Sequence, residues 1–284
     1  MYSLWNNFKT TLLMAGLMGL CLAVAYAIGG PQFMVYGLII GGFMNVIAFF
    51  FSDKIALMTM RAKEIHREDD PELWDTVLYL TEKANLPMPR VYISPAAAPN
   101  AFATGRNPHH SAVCVTEGLR RMLNRLELQG VIAHELAHIK HRDILISTVA
   151  AIVAGAITYV AQMAFFFGGG GGDDRDRRGN PLVMILMLIL APIAAALIQM
   201  AISRSREYEA DRLGAELNGT GRGLSQALSK LDAASKQIPL PVPDSQANMF
   251  IVAPLTGGGM MKLFMTHPPV KERIARLQAM ERNL

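Results

Sequence analysis

Long apolar blocks alternate with blocks of mixed sequence along this chain. Thr11–Ile28, Phe33–Phe51, Ile144–Phe167 and Leu182–Ser203 each approach or exceed the ~18–20 apolar residues that cross a bilayer. Core helices of soluble proteins seldom run that long without a charge, so the pattern predicts four membrane spans in two hairpins. The first block also has the outline of a signal peptide, with Lys9 ahead of it and Ala25-Tyr26-Ala27 in the small-x-small form of a cleavage site. Only Gly29-Gly30-Pro31-Gln32 separates it from the next block, so cleavage would release almost nothing. An uncleaved hairpin is expected.

The mixed blocks have a different rhythm. Asp70-Pro71-Glu72 reads as N-cap, first-position proline and first-turn acid, and Leu73, Val77 and Leu80 mark a helix to about Ala84. Val91–Ser94, Ala101–Ala103 and Ala112–Thr116 are short β-prone runs set off by Pro, Gly and Asn, which predicts a small sheet. Asn124 followed by Glu127 is a capping-box pair, and Leu128, Val131, Ile132 and Leu136 supply the apolar face of the helix it opens. After the second hairpin, "SRSREYEADRLGAELNG" reads as one helix to Gly219. A helix with Leu224, Leu228 and Leu231 follows, then a Pro/Gly-rich loop over Lys236–Gly259, then a helix after Pro269. The fold class is therefore α+β: an integral membrane protein with about four transmembrane helices and a mainly helical domain carrying a small β-sheet. The domain boundaries are 1–52 for the N-terminal hairpin, 53–143 for the first half of the extramembrane domain, 144–203 for the second hairpin and 204–284 for the second half.

Composition agrees. Of 284 residues 51% are hydrophobic and 18% charged, below the roughly one quarter usual in soluble domains. The excess of Lys and Arg over acids is modest and forms no aromatic-interleaved patch, which argues against a nucleic-acid partner. The basic residues flank the spans instead. Lys54, Arg61, Lys63 and Arg67 follow the second, Lys140 and Arg142 precede the third, and Arg204 and Arg206 follow the fourth. By the positive-inside rule both mixed blocks face the cytoplasm and the loop 168–180 faces outward, although that loop itself carries Arg175, Arg177 and Arg178 among three aspartates. Cys21 and Cys114 lie too far apart in kind, one in a span and one in a strand, to make a disulfide framework.

Chemistry concentrates at "HELAH". His134 and His138 are four residues apart, so on a helix they share a face and can share a tetrahedral zinc, while Glu135 can reach a water on that metal as general base. A catalytic zinc needs a third protein ligand. His141 is seven residues from His134, about 10 Å along the axis, and cannot join both histidines on one ion. The metzincin pattern would require Gly at 141 and His at 144, where this chain has His141 and Ile144. Glu207 and Asp211 are the better candidates. Four apart on a helix, one can bind metal while the other hydrogen-bonds a ligand histidine; Glu209 falls on the opposite side.

"HELAH" in a helix, two spans, then "SRSREYEAD" resembles the HtpX-type membrane zinc metalloproteases, relatives of the CAAX prenyl proteases. "PNAFATG", "VTEGLRRMLNRLELQGVIAHELAHIKHRD" and "LFMTHPPVKERIARL" appear in the family's order, so the likeness covers nearly the whole chain. The resemblance implies a gluzincin-like domain with one zinc per chain on His134, His138 and Glu207, catalysis by Glu135, and Asp211 supporting a ligand. It implies that Asn100, Ala101, Phe102, Ala103 and Thr104 form the edge strand on which a peptide substrate lies, with His267 and Arg273 of the H-P-x-x-x-x-R segment near the substrate. It also implies an active site at the cytoplasmic surface of the inner membrane, protein or peptide substrates drawn from membrane proteins, and a role in quality control under stress. Two alternatives stand beside this: a CAAX-type prenyl endopeptidase, for which more spans are expected, and a non-catalytic scaffold around a structural zinc, for which four protein ligands are expected.

Overall fold

A computed structural model describes residues 2–150, 153, 204–235, 251 and 268–281. It opens with α1 (Tyr2–Gly29) and α2 (Met34–Phe50), antiparallel helices joined through a 3-10 turn at Pro31–Phe33. Glycines set their separation. A Cβ on Gly37 would lie 2.8 Å from that of Ala25 and 2.9 Å from the Cys21 carbonyl, and one on Gly41 would lie 2.7 Å from Met18 Sδ. Small residues four apart let helices close on each other in lipid, where no hydrophobic force drives them together. Among the described residues, the segment Pro31–Phe50 is long and apolar enough to cross a membrane. The third expected span enters as a helical segment (144–150), whose Ile146, Val149 and Ala150 pack with Leu13 and Leu17 of α1. The rest of it, save Val153, lies outside the described residues, as does the fourth.

A short helix, α3 (Ser52–Thr59), leads into the extramembrane domain. Strands β1 (Lys63–Ile65), β2 (Arg90–Ser94), β3 (Ala101–Asn107) and β4 (His110–Thr116) form a sheet in the order β1-β2-β4-β3. The β2–β4 pair is parallel and the outer pairs are antiparallel, so among the described residues β3 is an edge. Alternation along the strands sorts the two faces. Val91, Ala101, Val113 and Val115 join the main core, while Tyr92, Phe102, Ala112 and Cys114 pack with Ala56 and Leu57 of α3 and with Met60 just after it. β1 has no counterpart among the expected strands. Three residues carry too little alternation to announce a strand, and it exists through its pairing to β2.

The helix expected over 70–84 is α4 (Pro71–Ala84). Asp70 caps it by accepting from Leu73 N, and Asn85 closes it in the left-handed conformation. A one-turn helix, α5 (Glu117–Met122), then leads to α6 (Arg125–His141), which opens on the reciprocal Asn124/Glu127 capping box. α6 is the domain's axis. Leu128, Val131, Ile132, Leu136 and Ile139 are buried along it. α4, β3, α7 (Arg204–Asn218) and α8 (Arg222–Ser235) all pack on it, and α9 (Val270–Glu281) lies against α7 and α8. Two backbone-to-backbone approaches fix these crossings. A Cβ on Gly130 would sit 2.4 Å from Leu224 N on α8, and a Cβ on Gly214 of α7 would sit 3.0 Å from His134 N. The second approach brings α7 against α6 at the residue that opens the candidate site.

Candidate metal centre

The site is built where α6 and α7 touch. His134 and His138, one turn apart, meet edge to face with ring centroids 4.7 Å apart and Nε2 atoms 3.1 Å apart. Each ring is anchored from behind. Asp211 Oδ1 lies 3.0 Å from His134 Nδ1, and Asp143 Oδ2 lies 3.1 Å from His138 Nδ1. Carboxylates accept only, so each Nδ1 carries a proton, which leaves Nε2 of each ring as the atom that could bind a metal. The two Nε2 atoms converge on one place, where a single ion could draw on both. Glu207 completes the cradle from α7, its carboxylate oxygens 3.8 Å from His134 Nε2 and 3.7 Å from His138 Nε2. One ligand atom from each of the three residues lies within 4.8 Å of the others. Two imidazoles and a carboxylate suit zinc, and the donor set fits a metal ion.

The surrounding acids make this pocket favour positive charge. Burial alone would depress His138, yet Asp143, Glu207 and Glu135 outweigh it and push its pKa up to about 10. Burial lowers His134, with Asp211 opposing. Burial raises Glu135 to about 7, against the pull of His138 and of the Ala103 N–H. That N–H, on the outer side of edge strand β3, donates to Glu135 Oε2 at 2.7 Å.

Arg273 reaches in from α9 with no solvent exposure. Its Nε and Nη2 donate to the two oxygens of Asp211 at 2.9 and 2.7 Å, its Nη1 donates to the Ile251 carbonyl at 3.1 Å, and Nη1 lies 3.6 Å from Glu207. Burial would raise the pKa of Asp211, but Arg273 and His134 prevail and hold it at about 2. Arg273 is thus a buried counter-ion to the carboxylates of α7. His267 lies outside the described residues. In the stretch expected to meet substrate, Asn100, Ala101, Phe102 and Thr104 are buried. Asn100 accepts from Ile251 N, and Thr104 faces Thr148 across 3.2 Å. What the stretch presents toward Glu135 is backbone, at Ala103. Glu209 lies away from the centre and pairs with Arg212 at 2.5 Å.

Asp143 escaped the sequence reading. It follows Arg142, which ends α6 at φ 57, a left-handed turn that folds the next carboxylate back onto His138. A glycine or asparagine at 142 would have signalled that turn; an arginine does not.

A paired-histidine helix with an intervening acid, met by a carboxylate from a second helix, is the arrangement of a metallopeptidase. A family model, Peptidase family M48, matches residues 67–281. Relatives each described as "Protease HtpX homolog" include one from Pelotomaculum thermopropionicum, 50% identical over 278 residues (97% of this chain and 99% of that one). Another, from Thermodesulfovibrio yellowstonii, is 53% identical over 279 residues (98% and 99%). Among solved structures, S. mikatae Ste24p superposes with TM-score 0.50 at 18% identity, over 97% of this chain and 66% of that one, a likeness of fold. The chain belongs to peptidase family M48, in its HtpX group, and is a membrane-anchored metalloendopeptidase.

Proposed function

We propose that this protease is a zinc endopeptidase of the cytoplasmic membrane, acting on membrane or misfolded proteins at the cytoplasmic bilayer surface in quality control under stress. The observation that carries the reading is the convergence of His134, His138 and Glu207 beside the buried acid Glu135, with His138 six residues before the apolar helix that starts at Ile144. In this reading the chain has four spans, residues 53–143 and 204–284 fold as one cytoplasmic domain, and the hairpin 144–203 interrupts it with 168–180 outside. In the same reading both helices that bear the centre abut spans, which would hold the site at the membrane surface.

His134, His138 and Glu207 would hold the zinc, which when bound supplies a Lewis acid for the scissile carbonyl and acidifies the attacking water. Glu135 takes the proton from that water and returns it to the leaving nitrogen. Its elevated pKa suits a group that must both accept and donate near neutrality. Asp211 and Asp143 hold the imidazoles in one tautomer and orientation. Arg273 keeps Asp211 ionised within a buried site. An extended substrate adds to the free edge of β3 across Asn100–Thr104, taking over the Ala103 N–H from Glu135. His267 stands near the substrate in the reading by family likeness.

The test is Glu135→Gln in the full chain, purified in detergent. The substitution keeps size and helix and leaves the three donors in place. Peptide cleavage is expected to fall ~10²–10⁴-fold while zinc stays near one per chain. Wild-type cleavage by the variant would assign the proton transfer elsewhere, and loss of both metal and fold would make Glu135 structural.

A further inference from the structure

A second cleft lies where α2 ends against the β3–β4 turn. It encloses about 530 Å³, and its lining includes Phe50, Phe51, Lys54, Arg90, Arg106 and His109. Phe50 is the last residue of the membrane-crossing segment, and both phenylalanines are about half exposed, as aromatic side chains are at the water–lipid boundary. Cations stand over both rings. The Arg106 guanidinium lies 5.6 Å from the Phe50 centroid, and the Lys54 ammonium 5.3 Å from that of Phe51. Arg90 is neutralised by Asp53 at 2.9 Å. Among the described residues, Lys54 and Arg106 have no acidic partner.

The backbone is shaped to put Arg106 there. The β3–β4 register slips between Gly105 and Asn107, so Arg106 is the extra residue of a bulge, a feature that re-aims a side chain. Gly105 has φ 136, and a Cβ on it would lie 2.1 Å from the His110 carbonyl oxygen, so only glycine permits the bulge. A guanidinium and an ammonium without counter-ions, beside aromatic rings at a span's end, match one chemistry: a phosphate diester whose acyl chains lie in the bilayer. The exposed apolar side chains of α2, Phe43 and Val46 among them, give those chains a surface.

We propose that this cleft binds the headgroup of an anionic phospholipid, tying the domain to the membrane at a point separate from the metal centre. The proposal rests on α2 as a span but not on the catalytic assignment. Binding to the full chain in neutral detergent is followed by native mass spectrometry and by thermal midpoint, with three probes: short-chain phosphatidylglycerol, short-chain phosphatidylcholine and inorganic phosphate. Phosphatidylglycerol is expected to bind at least about tenfold more tightly than either of the others. Each basic residue near a membrane surface is worth about fivefold in affinity, so Arg106→Gln and Lys54→Gln should each weaken it by about that factor, and together by about 25-fold. Lys271→Gln, on α9 and outside the cleft, should leave it unchanged. All three variants should retain the wild-type midpoint without lipid, which separates lost binding from lost fold. Equal binding of phosphatidylcholine, equal binding of phosphate, or an equal loss in Lys271→Gln would overturn the assignment. These would point respectively to acyl packing, a free-anion site, or diffuse surface charge.

Discussion

Gly214→Ala tests whether the metal centre depends on how closely α7 lies on α6. The added methyl would meet His134 N at 3.0 Å, His134 Cα at 3.1 Å and the Ala133 carbonyl carbon at 3.3 Å, all backbone. Carbon contacts relax near ~3.5–4.0 Å, so the helices must part by roughly 0.5 Å. Overpacking of this kind costs about 1–3 kcal/mol, and alanine in place of glycine inside a helix returns about 0.8–1 kcal/mol. Net destabilisation should therefore be slight, roughly 0–2 kcal/mol. The centre should suffer more. Asp211, three residues before Gly214, has Oδ1 3.0 Å from His134 Nδ1, and the shift widens that contact to roughly 3.5 Å. Loss of such a support costs about 10–100-fold in metal affinity. Zinc affinity is measured by competition with a chromogenic chelator, and stability by denaturant unfolding of the detergent-solubilised protein. A variant that loses stability but binds zinc as tightly as wild type would refute the link between helix spacing and the site.

Asp143→Asn should weaken zinc binding ~10–100-fold, as should Asp211→Asn, because each removes the carboxylate behind one imidazole; chelator competition reads both. Glu207→Gln should lower metal content, while Glu209→Gln, which breaks only an exposed pair with Arg212, should leave it intact; metal analysis of the two separates them. Gly130→Ala should be far more damaging than Gly214→Ala, by at least about 3 kcal/mol or by failure to fold, because its methyl would meet Leu224 N at 2.4 Å; unfolding midpoints compare the pair. Asp70→Ala removes a helix cap and the 2.7 Å pair with Arg120, costing about 1–2 kcal/mol near neutral pH. Burial opposes ionisation of Asp70, but Arg120 and the Leu73 N–H win and hold its pKa below the usual value. Its stabilisation is therefore full above the unfolded carboxyl pKa of about 4 and is lost as pH falls through the folded value, so wild type and variant should converge in acid unfolding curves.

What the sequence made legible is what lies within one element. The capping box opening α6, the Asp70 cap of α4 and the same-face spacing of His134 with His138 are local and periodic. So is the placement of Glu207 and Asp211 on the face of α7 that meets α6, with Glu209 off it. What lay hidden depends on contacts between elements or on unusual backbone. β1 is a strand because β2 pairs with it. Asp143 reaches His138 only because Arg142 takes a left-handed turn. Arg273 looks like a surface cation in a charged helix, and its burial against Asp211 follows from the docking of α9, which no pattern within α9 reports. The closeness of α6 and α7 at Gly214 is equally silent, since a glycine inside a helical run reads as a tolerated defect.

The division of the domain between two stretches of chain has a consequence for biosynthesis. His134 and Arg273, which meet at 3.4 Å, are 139 residues apart. At ~5–20 residues per second, the ribosome delivers α9 on the order of ten seconds after α6. During that interval the sheet edge, both histidines and Glu135 exist on a nascent chain that lacks Glu207 for about half of the time and the guanidinium opposite Asp211 for all of it. A protease born into a membrane crowded with other half-made proteins thus withholds its own competence until α9 has been made. Copies truncated before Val270 should be proteolytically silent.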